Sequence, residues 1–354
     1  MDTSRIKIRD GDERDIERIL SLRRLVFGEF EKDKLLPDFW KWEFMDGPEG
    51  KAFIYLSEEG ERLAGHFADI PRRFSLDGEV CLGTLSLDLM VHPDHRRKGI
   101  FVEMGRYAAR RVKGERGLFM TAFPIRKETI SGLLKIGWEV VGDLPVLVFP
   151  LRFRGIVNRY LRFSPLSYLI GGVARAGYSL VWGGRIKGRD QGIQLEEVTR
   201  LDDRFDPFWE KAKGLNPVTG VRDRAFLNWR YFRNPVRTYT FFRALEGGKM
   251  TGYLVLRKVA LLDFNSSVVV DLLALNEASL RALVGKGIEH SLQQGMDLLG
   301  CMIPRRHRYF QILRDLGFLP SPKTFLFMVY RLARDKVPLA PEAWYVNWGD
   351  SDVI

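Results

Sequence analysis

Two tryptophans set the frame for this sequence. Trp42 lies in Phe39-Trp40-Lys41-Trp42-Glu43-Phe44-Met45-Asp46-Gly47-Pro48, and Trp229 lies in Phe226-Leu227-Asn228-Trp229-Arg230-Tyr231-Phe232-Arg233-Asn234-Pro235. Both read Trp-x-aromatic-x-x-[Gly/Asn]-Pro, and they stand 187 residues apart. Gly60-Glu61-Arg62-Leu63-Ala64-Gly65 matches Gly247-Gly248-Lys249-Met250-Thr251-Gly252 at the same offset of 187. Leu87-Asp88-Leu89-Met90 then matches Val270-Asp271-Leu272-Leu273 at 183, and Leu133 to Trp138 matches Leu313 to Phe318 at 180. Landmarks in one order at a slowly drifting offset indicate a duplication with small insertions and deletions. The 354 residues are enough for two domains, each with its own core. Apolar residues make up 45% and charged residues 29%, which excludes disordered and collagen-like chains.

Within the first copy the apolar periods alternate between two kinds. Arg5–Arg9 has strand composition, and Asp12–Glu29 has helical spacing at Ile16, Ile19, Leu20 and Val26. Ala52–Leu56 and Leu63–Asp69 read as strands joined at a Glu-Gly turn, and Val80–Val91 reads as a long strand. A helix is expected over Phe101–Val112, a buried strand over Leu118–Phe123, a helix over Glu128–Ile136 capped by Gly137, and a strand over Val140–Pro150. The fold class is therefore α/β, with a mixed sheet in each of two tandem domains. The expected boundaries are 1–150 and 191–334, with a connector over 151–190 and a C-terminal tail over 335–354.

The charge is uneven. The net charge is +11, and the segment 151–190 carries eight basic residues against Asp190 alone. Outside it the chain is only mildly basic, so a general nucleic-acid partner, which would spread Lys and Arg over a folded face, is not expected. The segment reads as a connector with solvated arginines; peripheral contact with anionic lipid or another subunit is the less favoured reading. The two cysteines, Cys81 and Cys301, cannot form a zinc site or a disulfide framework. With a charged N-terminus that lacks an apolar signal core, this points to a cytoplasmic protein without a metal. Trp344, Tyr345 and Trp348 make the tail too aromatic to stay free, so it is expected to dock on the body. Asp350 and Asp352 read as solvated end charges, with a cationic acceptor as their alternative use.

The sharpest chemical signal is Leu89-Met90-Val91-His92-Pro93-Asp94-His95-Arg96-Arg97-Lys98-Gly99-Ile100-Phe101. An apolar strand ends at Pro93, a basic loop with one glycine follows, and an apolar-periodic helix opens. The first turn of a helix has unpaired N–H groups and a partial positive charge, and Gly99 lets a ligand approach the backbone. Arg96, Arg97 and Lys98 add formal charge for a pyrophosphate. Neither GxxxxGK[ST] nor GxGxxG occurs in the chain.

This strand–loop–helix resembles motif A of the GNAT superfamily of N-acetyltransferases, and the Gly137-Trp138 ending resembles its motif B. The resemblance covers about residues 1–150, and 191–334 looks like a second copy that has lost the loop, with Asn276-Glu277-Ala278-Ser279 in its place. It implies an acetyl-CoA-dependent N-acetyltransferase acting on a primary amine of a small molecule or peptide by direct attack. Met90 and Val91 would then hold the pantetheine and the acyl carbonyl through their backbone. Arg96, Arg97, Lys98, Gly99, Ile100 and Phe101 would wrap the coenzyme A pyrophosphate. Asp88, on the same strand, is the candidate base, with His66 and Asp69 as possible neighbours of the acceptor groove. The second copy keeps Asp271 where the loop is gone, which favours a structural use of this aspartate. Cys81, His92, His95 and Glu103 read as structural or incidental. Three departures from the family pattern stand out. Phe101 replaces a small residue and would narrow the pyrophosphate pocket, Leu133 stands where the family commonly has a proton-donating tyrosine, and no polar residue follows the fifth strand near Pro124-Ile125. Two rivals remain: a peptidyl transferase of related fold that uses aminoacyl-tRNA, and an acyl-CoA-binding protein without turnover.

Overall fold

The computed structural model describes residues 6–152 and 192–352. The basic segment expected as a connector, and with it any membrane contact through 151–190, falls almost wholly outside them. The first half runs β1 (Ile6–Asp10), α1 (Ile16–Phe27), α2 (Pro37–Phe44), β2 (Phe53–Glu59), β3 (Arg62–Leu76), β4 (Glu79–Val91), α3 (Ile100–Gly114), β5 (Phe119–Ala122), α4 (Lys127–Ile136) and β6 (Glu139–Pro150). The second half runs β7 (Ile193–Glu197), α5 (Phe205–Ala212), β8 (Val218–Gly220), β9 (Thr240–Glu246), β10 (Lys249–Leu261), β11 (Phe264–Ala274), α6 (Glu277–Gln293), β12 (Leu298–Met302), α7 (Arg308–Asp315) and β13 (Leu319–Arg331). Among the described residues no helix is long and apolar enough to cross a membrane.

The chain forms two compact units, and each draws on both halves of the sequence. The first contains residues 1–142, 217–237 and 326–343; the second contains 143–216, 238–325 and 344–354. In the first unit β1, β2, β3 and β4 are successively antiparallel, and β4 pairs with β5 in parallel. Its next strand is not the adjoining sequence but Met328–Arg331 of β13, antiparallel to Met120–Ala122 and Phe119 of β5. The second unit repeats the plan with β7, β9, β10, β11 and β12, and β12 pairs with Val146–Pro150 of β6. Each copy thus gives its last strand to the other's sheet. Antiparallel addition needs only one exposed strand edge and an apolar face, so sequence adjacency does not select the partner.

The core of the first unit explains its helices. Ile16, Ile19 and Leu20 form the buried stripe of α1, and Met104, Ala108 and Val112 form that of α3. Phe67, Met120, Ile136, Trp138 and Met328 close the α3 side of the sheet. The repeat landmarks Trp42 and Trp229 stack at 5.1 Å, and each indole N–H donates to the other's backbone carbonyl at 3.0 Å.

Candidate active site

In the first unit β4 and β5 part company. Their last paired residues are Leu85 and Thr121, and the Thr121 hydroxyl donates to the Thr84 carbonyl at 2.9 Å where the pairing ends. β4 continues to Val91, so residues 86–91 have no β5 partner on that edge. Against β3 the ladder skips a residue here: His66 faces Met90 and Ala68 faces Leu87, leaving Asp88 and Leu89 opposite Phe67 alone. This is a β-bulge, and Asp88 takes the left-handed conformation at φ 50°. Aspartate tolerates that region better than most residues, at a cost of order 1 kcal/mol.

Polar groups around the bulge are buried and organised. The Arg23 guanidinium of α1 donates to the Asp88 carboxylate, and its other terminal nitrogen lies 3.2 Å from Glu31. Lys34 Nζ lies 4.0 Å from Asp88. Burial alone would raise the Asp88 pKa, but the charges of Arg23 and Lys34 outweigh it and hold the carboxyl well below its usual range. A carboxylate held in this way is a poor proton acceptor, which counts against the expected role as base. His66 is fully buried; its Nδ1–H donates to the Asp88 carbonyl at 2.8 Å, and Nε2 has no hydrogen-bond partner among the described residues. Burial lowers the His66 pKa, so the ring is neutral. Asp69 is also fully buried and accepts from the hydroxyls of Ser86 and, at 3.0 Å, Thr84. Burial pushes its carboxyl up to about 6. His66 and Asp69 therefore belong to the floor beneath the strand.

After Val91 a short turn over Pro93–His95 leads into the basic loop. His95 is buried and its Nε2 meets Glu59 of β2 at 2.8 Å, anchoring the turn. His92 Nδ1 accepts from the Asp94 amide at 3.2 Å, so both loop histidines serve the loop's own geometry. Gly99 caps α3 with φ 82°, a conformation that suits glycine. The amides of Val102 and Glu103 return to the Gly99 carbonyl, whereas the N–H groups of Arg97 to Phe101 meet no protein acceptor among the described residues. Arg96, Arg97 and Lys98 are exposed and form no ion pair among the described residues. A row of free amides, a helix N-terminus and three uncommitted cations together suit a polyphosphate.

The Phe101 ring packs onto α4 at Gly132, where a Cβ would overlap it. Leu133 lies in the core, 3% exposed. Glu103 is exposed and paired to Arg106 at 3.0 Å. Burial pushes the Cys81 thiol up to about 11, which keeps it from acting as a thiolate. Arg23 was not singled out from the sequence. The signal was there: it lies seven residues after Ile16 and three after Leu20, on the apolar stripe of α1.

The second unit carries the same strand pattern in different surroundings. Val255 pairs with Asp271 and Leu256 with Val269, so β11 bulges at Val270. Here the protein's own side chains occupy the strand. The Tyr345 hydroxyl donates to the Leu272 carbonyl, Asn347 Nδ2 reaches Asp271 at 2.8 Å, and the Tyr309 hydroxyl bridges the Ala274 N–H and C=O at 2.9 Å each. Asn276 caps α6, accepting from the Ser279 amide at 2.8 Å, and Glu277 opens the helix with negative charge. Asp350, expected at the solvent, is buried and accepts from the Asn347 amide at 3.0 Å.

Comparison with known proteins adds to this geometry. Residues 7–141 match the family model described as an acetyltransferase (GNAT) domain. No curated protein matches the sequence. Among solved structures, a GCN5-related N-acetyltransferase from Anabaena variabilis aligns with a TM-score of 0.65 at 13% identity, over 92% of this chain and 72% of that one. A protein from Enterococcus faecalis described as a probable N-acyltransferase aligns with a TM-score of 0.66 at 10% identity, over 93% and 72%. The tandem GNAT protein of the clavulanic acid biosynthesis pathway aligns with a TM-score of 0.57 at 14% identity, over 92% and 98%. At these identities the likeness is one of fold.

Proposed function

Residues 7–141 match the acetyltransferase (GNAT) domain, and from that premise we propose that this chain is a GNAT acyltransferase that moves an acyl group from acetyl-CoA to a primary amine of a small molecule or peptide. The observation that carries the reading is the anion cradle of the first unit: free amides from Arg97 to Phe101, with Arg96, Arg97 and Lys98 around them, next to the parted edge of β4. In this reading the loop holds the pyrophosphate. The backbone of Met90 and Val91, on the edge that β5 leaves, receives the pantetheine and polarises the thioester carbonyl. The amine nitrogen attacks that carbon, the C–N bond forms and the C–S bond breaks. The amine's proton leaves to a base or to water, and the thiolate takes up a proton as coenzyme A departs.

The ion-paired Asp88 suits holding the strand better than taking that proton. No side chain at position 133 can serve the thiolate, so solvent or the thiolate itself handles the last proton. Leu133 in the core also favours a second reading, an acyl-CoA-binding protein without turnover. The aminoacyl-tRNA alternative leaned on 151–190, outside the described residues save for its first two.

Calorimetric titration with acetyl-CoA, followed by release of free thiol across a panel of amines, tests the proposal. Binding with turnover on at least one amine is expected. Absence of any binding overturns the reading, and binding without turnover on a broad panel selects the second.

A further inference from the structure

The bulge in β4 is held from two sides, and neither hold belongs to the strand ladder. Asp88 sits in the left-handed region, where an L-residue rests only if its surroundings compensate. Its carboxylate is taken by Arg23 from α1, and its carbonyl by His66 Nδ1–H from β3 at 2.8 Å. Both partners are almost fully buried, with Arg23 2% and His66 0% exposed. The carbonyl can only accept, so Nδ1 carries the proton, and a neutral ring buried in this way has one tautomer. The second nitrogen of Arg23 on Glu31 ties the same contact to the segment between α1 and α2.

The position of these contacts gives them consequence. β5 leaves β4 after Leu85, so on that side no neighbouring strand sets the direction of the amides and carbonyls over 88–91. On the other side the β3 ladder resumes only at Met90 and Val91. The twist introduced at Asp88 therefore decides where the Leu89, Met90 and Val91 backbone groups aim. We propose that Arg23 and His66 are positioning residues of the acyl-carrier strand: through Asp88 they lock the β4 bulge so that residues 89–91 present their backbone to the pantetheine arm. This rests on the acyl-CoA reading above and assigns a use to the buried aspartate other than proton transfer.

The loop at 96–101 and the bulge at 88 would contact different parts of one molecule, which separates a positioning role from a general loss of structure. The test compares acetyl-CoA with adenosine 3′-phosphate 5′-diphosphate, which keeps the pyrophosphate but lacks the pantetheine arm, on wild type, Arg23→Lys, His66→Gln and the charge-balanced double variant Arg23→Met/Asp88→Asn. Amide hydrogen exchange is followed in the ligand-free proteins. In the double variant the amides of 88–91 are expected to exchange at least about tenfold faster, while those of α3 and β5 keep their protection. Acetyl-CoA affinity is expected to fall about tenfold, and the affinity for the armless diphosphate to stay within about twofold. Arg23→Lys and His66→Gln, which keep a donor, are expected to lie between. Unchanged protection at 88–91, or an equal loss for both ligands, overturns the proposal. Wild-type protein that binds neither ligand strikes the acyl-CoA reading, whereas the ligand-free exchange separately decides whether Arg23 holds the bulge.

Discussion

Asp88 and Asp271 occupy the same place in two copies of one strand, yet their surroundings differ. In the first unit Arg23 and His66 hydrogen-bond to Asp88 at the bulge, and among the described residues the far edge of β4 and the loop amides beyond it meet no protein partner. In the second unit Tyr345, Asn347 and Tyr309 take the corresponding backbone and carboxylate groups, and an asparagine cap and Glu277 replace the basic loop. A polar strand edge inside a protein must be satisfied. The second unit satisfies its edge with its own C-terminal residues; in the first, no side chain among the described residues takes that place. The floors differ as well. At the repeat offsets, Asp69 and Ser86 correspond to Leu256 and Val269, so the buried carboxylate is exchanged for an apolar pair.

The contrast can be broken in several ways. Trp348 is fully buried in the second unit, and Trp348→Ala is expected to cost about 3–5 kcal/mol in urea unfolding. Its acetyl-CoA affinity should stay within about twofold; a parallel loss of affinity would show that the tail serves more than its own unit. Asp69→Asn sharpens the comparison of the two floors. A carboxyl raised from 3.8 to about 6 binds its proton more tightly folded than unfolded. Its contribution to stability is therefore complete below about pH 4 and lost as pH rises through 6. The variant should gain nothing near pH 4 and about 3 kcal/mol above pH 7, read from denaturant midpoints across that range. A gain independent of pH would refute the assignment.

The ligand side of the contrast turns on charge. Arg96→Glu combined with Arg97→Glu is expected to weaken acetyl-CoA about 30-fold, while Arg281→Glu on α6 changes it less than about twofold. Titration should give one site per chain, and two sites would erase the difference between the units. The smallest effect is expected for Gly132→Ala. The added methyl displaces the Phe101 ring, costing about 1 kcal/mol and about threefold in acetyl-CoA affinity as the ring turns toward the loop. An unchanged affinity with the same melting loss would mean that the ring relocates within the core.

Much of the fold could be read from residue spacing. The elements expected over Val80–Val91, Phe101–Val112, Glu128–Ile136 and Val140–Pro150 coincide with β4, α3, α4 and β6 to within two residues at each end. Local periodicity and a glycine cap at Gly137 were sufficient there. The strand exchange was hidden, because β6 and β13 have ordinary strand composition and nothing in composition states which edge a strand joins. At the site, the basic loop with its capping Gly99 was visible as a motif. The ion pair on Asp88 was not, since Arg23 precedes it by 65 residues and meets it only through the packing of α1. The packing of the Phe101 ring was hidden for a similar reason: it fills the space Gly132 leaves on α4.

The order of residues alone determined the duplication, the alternation of strands and helices, and the loop whose amides and cations suit an anion, because each of these depends on neighbours a few positions apart. Only the tertiary structure decided which strand completes which sheet, which of two equivalent edges stays open, and whether a buried aspartate is poised to take a proton. Those outcomes depend on burial and on charges brought together from distant parts of the chain. There the low dielectric lets a guanidinium and an ammonium together outweigh the cost of desolvating a carboxylate.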